Sequence, residues 1–392
     1  MRIGVLGGGQ LGRMLGLAGL PLGVQFTFLD PSEEACAAAV GRHLRAAYTD
    51  PEALHELART CERATYEFEN VPFQATAELV RSVPVYPPPP ALEVAQDRLR
   101  EKEFFRSLGI PTAEFAAVDS LEDLEAAVDH VGLPAVLKTR RMGYDGKGQR
   151  ILMAPEDLQA AWEALTGPRT ESSPLPTPRV EGLSGGLLAE ALVPFRRELS
   201  VLAARDSWGE VVCYPVVENH HEGGILRLSL APAPDLDPAL EELAHAYARR
   251  ALEALDYVGV LCVELFEVDG RLLANEMAPR VHNSGHWTIE GACTSQFANH
   301  VRAVAGLPLG SPRPRGWCAM VNLIGHRPDP AAVLRVPGAS FHWYGKAVRP
   351  GRKVGHVTVC ADRPEQLAER LDQLRRCGVP LPARAAAGLF RR

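Results

Sequence analysis

The sequence predicts a mixed α/β and α+β protein in three parts: an open parallel sheet, a larger strand-rich body, and a small β-rich domain at the C-terminal end. Three observations carry this. Residues 1–83 alternate apolar strand runs with amphipathic helices. Four consecutive prolines then interrupt the chain at 87–90. From residue 187 onward strand patterns dominate, with one long helix among them.

The first part opens on "MRIGVLGGGQLGRML". Ile3–Leu6 read as a buried strand, Gly7, Gly8 and Gly9 as a tight turn, and Leu11–Ala18 as an amphipathic helix. "VQFTFLD" is a second strand, "PEALHELARTC" a helix and "ATYEFEN" a third strand ending in charge, which makes a small Rossmann-like open parallel sheet. "PVYPPPPA", residues 84–91, is expected to be a stiff extended connector, because consecutive prolines fit neither a helix interior nor an inner strand. The first domain is therefore set at 1–91.

From Leu92 a helical stretch carries "AQDRLREKEFFRSLGIP" and stops at Gly109 and Pro111. A helix at 120–131, the strand "AVLKTR", the polar glycine loop "RMGYDGKGQR" and the strand "ILM" follow. The segment "TGPRTESSPLPTPRVEGLSGG" is rich in Pro, Ser, Thr and Gly and reads as a surface insertion. Strands "GLLAEALV", "ELSVLAAR", "VVCYPVVE", "VLCVELFEV" and "LLANEMAP" then run through 187–310, with a helix at 239–256. The second domain is set at 92–310, with a lid subdomain at about 113–190. A third, 311–392, begins with "CAMVNLIG" after "GSPRPRG" and has strand signals near 341–360.

Bulk properties narrow the function. A formal net charge of −6 gives no reason to expect a nucleic-acid partner. The eight cysteines are scattered without zinc spacing, so they read as reduced thiols and point to a cytoplasmic protein. No signal peptide and no apolar run of about 18 residues suggests a membrane partner. Lysine is rare: Lys102, Lys138, Lys147, Lys346 and Lys353 are the five among 42 basic residues, so each retained lysine invites a reason.

Four stretches carry chemistry. In "AVLKTRRMGYDGKGQR" a strand presents Lys138 ahead of Gly143, Gly146 and Gly148, whose backbone can curl its N–H groups onto phosphate oxygens. It is not a Walker loop, because G-K-[ST] before a helix is missing. In "VLCVELFEVDGRLLANEMAPR" the turn Asp269-Gly270 puts Glu264 and Glu276 about equally far back on two strands. Facing carboxylates repel unless a cation lies between them, and with Asn275 they are hard oxygen donors suited to magnesium that also holds ATP phosphates. In "APRVHNSGHW" an irregular loop offers Arg280, Asn283, Ser284 and His286 to an anionic substrate. A zinc site on His282 and His286 lacks a third ligand, and Asn-Ser-Gly breaks the helix it would need. In "HWYGKAVRPGRKVGHV" Lys346, Arg349, Arg352 and Lys353 cluster around a Pro-Gly turn, a composition suited to phosphate.

Lysine with glycine loop, acidic–hydrophobic hinge, then paired carboxylates is the order found in ATP-grasp ligases. The stretches "GGGQLGRML", "GYDGKGQ", "APRVHNSGHWT" and "VRPGRKVGHV" bring the chain closer still to one family. Over residues 1 to about 360 it resembles the N5-carboxyaminoimidazole ribonucleotide synthetases, ATP- and bicarbonate-dependent enzymes of bacterial and fungal purine synthesis. The resemblance implies an ATP-grasp fold and a ligase that carboxylates 5-aminoimidazole ribonucleotide through carboxyphosphate. A formate-dependent ligase acting on glycinamide ribonucleotide is the nearest alternative.

The same resemblance implies roles position by position. Arg98 and Lys138 would meet ATP phosphates under the loop Gly143–Gln149. Glu190, Ala191, Leu192 and Val193 would form the adenine hinge, Glu198 would take the ribose, and His221 and Asn275 complete the nucleotide site. Glu264 and Glu276 would hold magnesium. Tyr144, Asp145, Lys147 and Arg280 would surround the reacting carboxyl group, with Tyr144 or Asp145 acting on the substrate amine. Gln10, Leu11, Glu69, Asn283, Ser284, Lys346, Arg352 and Lys353 are assigned to the ribonucleotide. Similar enzymes are dimers, and apolar stretches in the first and third domains suit a homodimer. The Pro/Ser-rich segment 166–186 departs from the family pattern and lies in the lid.

The opening turn also fits the G-x-G-x-x-G fingerprint of dinucleotide enzymes, with Asp30 at a ribose-binding distance. Nothing downstream resembles a hydride-transfer domain. No NAD is expected; the turn is instead expected to help bind the ribonucleotide.

Overall fold

The computed structural model describes residues 1–143, 147–167 and 186–382. At the N-terminus Arg2–Leu6, Gln25–Leu29 and Arg63–Tyr66 form the expected parallel sheet, and the short strand Arg42–Leu44 extends it on the side of Gln25–Leu29. Ile3, Val5, Leu6, Phe26, Phe28 and Leu29 are buried, the apolar run that a sheet covered on both faces requires. Gly7, at φ 109°, turns the first strand into the helix Gln10–Gly19. A side chain there would collide with Glu67.

The proline connector is only partly extended. Pro88 caps the helix Pro89–Ala95, and Pro89 and Pro90 occupy its first turn, where a missing N–H leaves no broken bond. The single helix expected beyond Leu92 is also two. Asp97 ends the first and caps Arg98–Ser107, its carboxylate accepting from the Leu99 amide at 3.1 Å and from Arg140 at 2.9 and 2.7 Å. That break makes Arg98 the first residue of a new helix.

The lid is a four-stranded antiparallel sheet in the order Phe115–Val118, Leu187–Ala191, Ala135–Thr139, Gln149–Leu152. Its helices Leu121–Val131 and Asp157–Thr166 bury Leu124, Ala127, Val128, Leu158 and Ala161 against it. Most of segment 166–186 lies outside the described residues.

A nine-stranded sheet forms the body. Its order is Arg271–Ala278, Gly259–Val268, Arg197–Arg205, Val217–Glu222, Ile225–Ala231, Trp317–Ile324, Lys353–Ala361, Ala339–Trp343, with Val211–Cys213 beside Arg197–Arg205. "VVCYPVVE", expected as one strand, is two separated at Tyr214–Val216. The sheet runs through the boundary expected at 310/311: Ser229 pairs with Met320, so the last part extends the body's sheet. One core cluster joins all three regions, from Leu15 and Phe28 through Leu202 and Trp287 to Tyr344.

Candidate active site

The expected nucleotide residues come together where the lid sheet meets the body. Arg98 projects from its helix start to place Nη1 2.8 Å from Glu276 Oε2. Lys138, near the end of its lid strand, puts Nζ 2.5 Å from Glu190 Oε2 on the neighbouring strand. Burial alone would raise the Glu190 carboxyl, but Lys102 and Lys138 outweigh it and bring it to about 2. Gly143 approaches Arg98 closely, since a Cβ there would stand 3.2 Å from Nη2. Gly148, at φ 74°, returns the loop to Gln149, which pairs with Lys138. Lys147 lies in that turn; Tyr144, Asp145 and Gly146 fall outside the described residues.

In the hinge the Ala191 amide donates to Glu114 O and the Leu192 amide to Pro134 O, so these two bonds fix the backbone from 190 to 193. His221 Nδ1 lies 2.9 Å from Glu198 Oε2. Burial would lower the His221 pKa, yet Glu198 and Glu264 carry it above the ordinary histidine value. Glu198 and His221 therefore act as one unit.

Glu264 and Glu276 are direct register partners on the hairpin. Glu276 stands one residue further from the turn, and a bulge at Asn275 absorbs the difference. Burial and the Glu276 charge push Glu264 up to about 8. Glu276 would also rise on burial, but the Arg98 guanidinium holds it at about 2. Asn275 Oδ1 is buried and accepts no hydrogen bond from the described residues. Two opposed carboxylates and an orphaned amide oxygen form a hard-oxygen set with one carboxylate proton to give up.

A second group of cations is held in contacts between the three regions. Arg280 is ion-paired with Glu69, Lys353 donates to Asn283, and Lys346 donates to Gln10. Arg352 is 3.3 Å from Glu34. Each of these contacts joins two of the three regions. Ser284 does not face the cleft. It is fully buried, with its hydroxyl 2.8 Å from Ser200 and 2.9 Å from His282 Nδ1, so it braces the histidine. Leu11 likewise packs its side chain into the core. The glycine turn is filled from within: Glu67 accepts from the Gly9 and Gly12 amides at 2.5 Å each, and Asp30 accepts from Gly8 at 2.7 Å. The amides expected to receive a substrate phosphate thus carry a protein carboxylate, which satisfies the helix N-terminus.

His282, weighed in the sequence only as a zinc ligand, takes a different place, and Glu101 and Lys102 go unassigned there. His282 Nε2 sits 3.1 Å from Glu264 and is held near 3 by burial and Arg280, a neutral ring beside the carboxylate. His286 turns away from it, 3.5 Å from Lys353 Nζ and 4.9 Å from the His356 ring. Among the described residues no group of three His, Cys, Asp or Glu converges as a metal cluster. Glu101 and Lys102, inside the helix that starts at Arg98, are buried beneath the site. Lysine scarcity is the one signal that marks Lys102.

Fold and site together define an ATP-grasp ligase. Residues 103–297 match the ATP-grasp domain family, 1–96 the ribonucleotide synthetase preATP-grasp domain, and 318–370 the phosphoribosylaminoimidazole carboxylase C-terminal domain. The chain belongs to the N5-carboxyaminoimidazole ribonucleotide synthase family. It is 53% identical to that synthase of Pseudomonas aeruginosa over 93% of this chain and 96% of the relative. The crystal structure of the Thermus thermophilus synthetase superposes with a TM-score of 0.89 at 57% identity, covering 97% of this chain and 99% of the other. A structure of the Aspergillus clavatus synthase in complex with ADP and 5-aminoimidazole ribonucleotide gives a TM-score of 0.86 at 34% identity, covering 96% and 98%.

Proposed function

We propose that this chain uses ATP and bicarbonate to carboxylate 5-aminoimidazole ribonucleotide, with the roles divided between the two cation groups. The observation that carries this is that the cations fall into two groups with different partners. Arg98 pairs with Glu276 and Lys138 with Glu190 on the lid sheet, whereas Arg280, Lys346 and Lys353 are held in contacts that cross to the first and last regions.

Arg98 and Lys138 exchange Glu276 and Glu190 for ATP phosphates. The hinge 190–193 holds adenine through its backbone, and Glu198 with His221 holds the ribose. Arg280, Lys346, Arg352 and Lys353, with Gln10, Glu69 and Asn283, receive the ribonucleotide. Glu264 and Glu276, with Asn275 beside them, are the residues that would hold magnesium. Bound there with the nucleotide, the metal would neutralise phosphate charge.

Bicarbonate is a poor electrophile because its oxygen leaves badly. Transfer of the terminal phosphoryl group to that oxygen gives ADP and carboxyphosphate, and Arg98 and Lys138 stabilise the charge on the moving group. The substrate amine then bonds to the carboxyl carbon of carboxyphosphate, or of the carbon dioxide it releases, as phosphate departs and the amine loses a proton. Such intermediates hydrolyse in water, so the site has to exclude it while they exist. Tyr144 and Asp145 on the glycine loop are assigned to the amine.

Labelled bicarbonate tests the reading. Label should enter an acid-labile product only when ATP and the aminoimidazole ribonucleotide are both present. ADP formation with formate and glycinamide ribonucleotide in their place would overturn it. We place the enzyme in the cytoplasm, in keeping with its eight free cysteines. We also propose a homodimer, for which exposed Leu17, Leu20 and Leu22 offer apolar surface; a monomer mass by light scattering would contradict that.

A further inference from the structure

Beneath Lys138 lies a second lysine for which the reaction as described has no use. Lys102 is fully buried in the helix Arg98–Ser107, with its side chain only 2% exposed. Its Nζ is 3.2 Å from Glu190 Oε1, while Lys138 reaches Oε2 of the same carboxylate at 2.5 Å. Lys102 also lies 3.4 Å from the Ala274 carbonyl, on the strand that carries Asn275 and Glu276. Glu190 is thus shared: one oxygen faces a lysine fixed in the body, the other a lysine on the lid sheet.

This sharing bears on what happens when ATP arrives. If Lys138 is to serve the phosphates, it must leave Glu190. Glu190 is only 3% exposed, and a buried carboxylate stripped of its partner is strongly unfavourable. With Lys102 in place it still has one. We infer that Lys102 is a positioning residue whose ion pair with Glu190 releases Lys138 from the carboxylate and lets it move onto the nucleotide phosphates. The same pair ties the hinge strand Leu187–Ala191 to the body, so the carboxylate stays put while the lysine moves.

The inference rests on the assignment of Lys138 to the ATP phosphates and deepens it. The experiment is a double-mutant cycle of Lys102→Met and Glu190→Gln, followed by steady-state kinetics in ATP and in the ribonucleotide. In Lys102→Met the whole charge of Glu190 falls to Lys138, which should raise the KM for ATP by about tenfold or more and leave the KM for ribonucleotide within about twofold. Adding Glu190→Gln removes the competing carboxylate, so the double variant should recover most of that loss. A general structural role would make the two substitutions additive and move both KM values together.

An unchanged KM for ATP in Lys102→Met overturns the inference. So does a double variant no better than the single one. If Lys102→Met fails to fold, the double variant decides: a folded double variant with a low KM for ATP supports the carboxylate as the cause, and one that fails to fold overturns the proposal. Lys138→Met is the control for the underlying assignment. Unaltered ATP kinetics there would mean that the phosphate assignment has failed, whatever the cycle shows.

Discussion

Glu276 faces Glu264 across the hairpin and Arg98 at 2.8 Å, so it touches both halves of the nucleotide machinery. Glu276→Gln keeps the size and the strand but removes the carboxylate of the pair that Arg98 keeps ionised. Turnover should fall by about a hundredfold or more, while Tm moves by no more than about 5 °C. Near-normal turnover would remove Glu276 from the metal assignment. Lys353 offers a complementary test in the second group of cations. It donates to Asn283 and reaches the site from the strand Lys353–Ala361. Lys353→Ala should raise the KM for ribonucleotide by about tenfold and change that for ATP far less, because one charge-assisted bond is lost on one substrate only. The reverse pattern would move the basic cluster to the nucleotide.

At the scale of elements, His300 holds helix Gln296–Ala305 to both neighbouring sheets. Its Nδ1 accepts the Val260 amide at 3.1 Å, so Nε2 carries the proton toward Thr65 Oγ1 at 2.9 Å. Burial holds the ring at about 4. An unfolded histidine titrates near 6.5, so between these values the unfolded chain binds the extra proton. Stability from this residue is complete above pH 6.5 and falls as pH drops toward 4, by about 3 kcal/mol in all. Urea unfolding at pH 7 and pH 5 should show a larger loss for the native chain than for His300→Gln. Equal losses would contradict it. The carboxyls of Glu101 and Glu264, both raised to about 8, act with the opposite sign, which is why the variant is the proper reference.

Elements also mark the limit of what is legible in the chain. The hairpin is readable because Asp269-Gly270 is a strong turn between two apolar runs; the bulge at Asn275 is not, because pairing decides it. In strand Ile225–Ala231 the alternation of Leu226, Leu228 and Leu230 with Arg227 and Ser229 is a strand pattern, but its pairing with Trp317–Ile324 is not legible because the partner lies far along the chain. Prolines 89 and 90 read as a barrier to helix, although a first turn accepts them. Site residues that resemble a known family are readable as positions. What Glu67, Lys102 and Ser284 do depends on Gly9, Glu190 and Ser200, partners that only folding brings near.

Across the whole molecule one sheet runs from the carboxylate hairpin to the strands that deliver Lys353, and polar contacts on the substrate side cross between regions: Glu69 to Arg280, Gln10 to Lys346, Asn283 to Lys353. On the proposed assignment a ribonucleotide seated among them would engage all three parts, next to the nucleotide. Chemistry on ATP should therefore depend on that second substrate. The most direct measurement is ADP release from ATP, magnesium and bicarbonate, with and without 5-aminoimidazole ribonucleotide. Strong stimulation by the ribonucleotide is the predicted result. ADP release that is the same in its presence and absence, from protein that still binds ATP, would contradict the account.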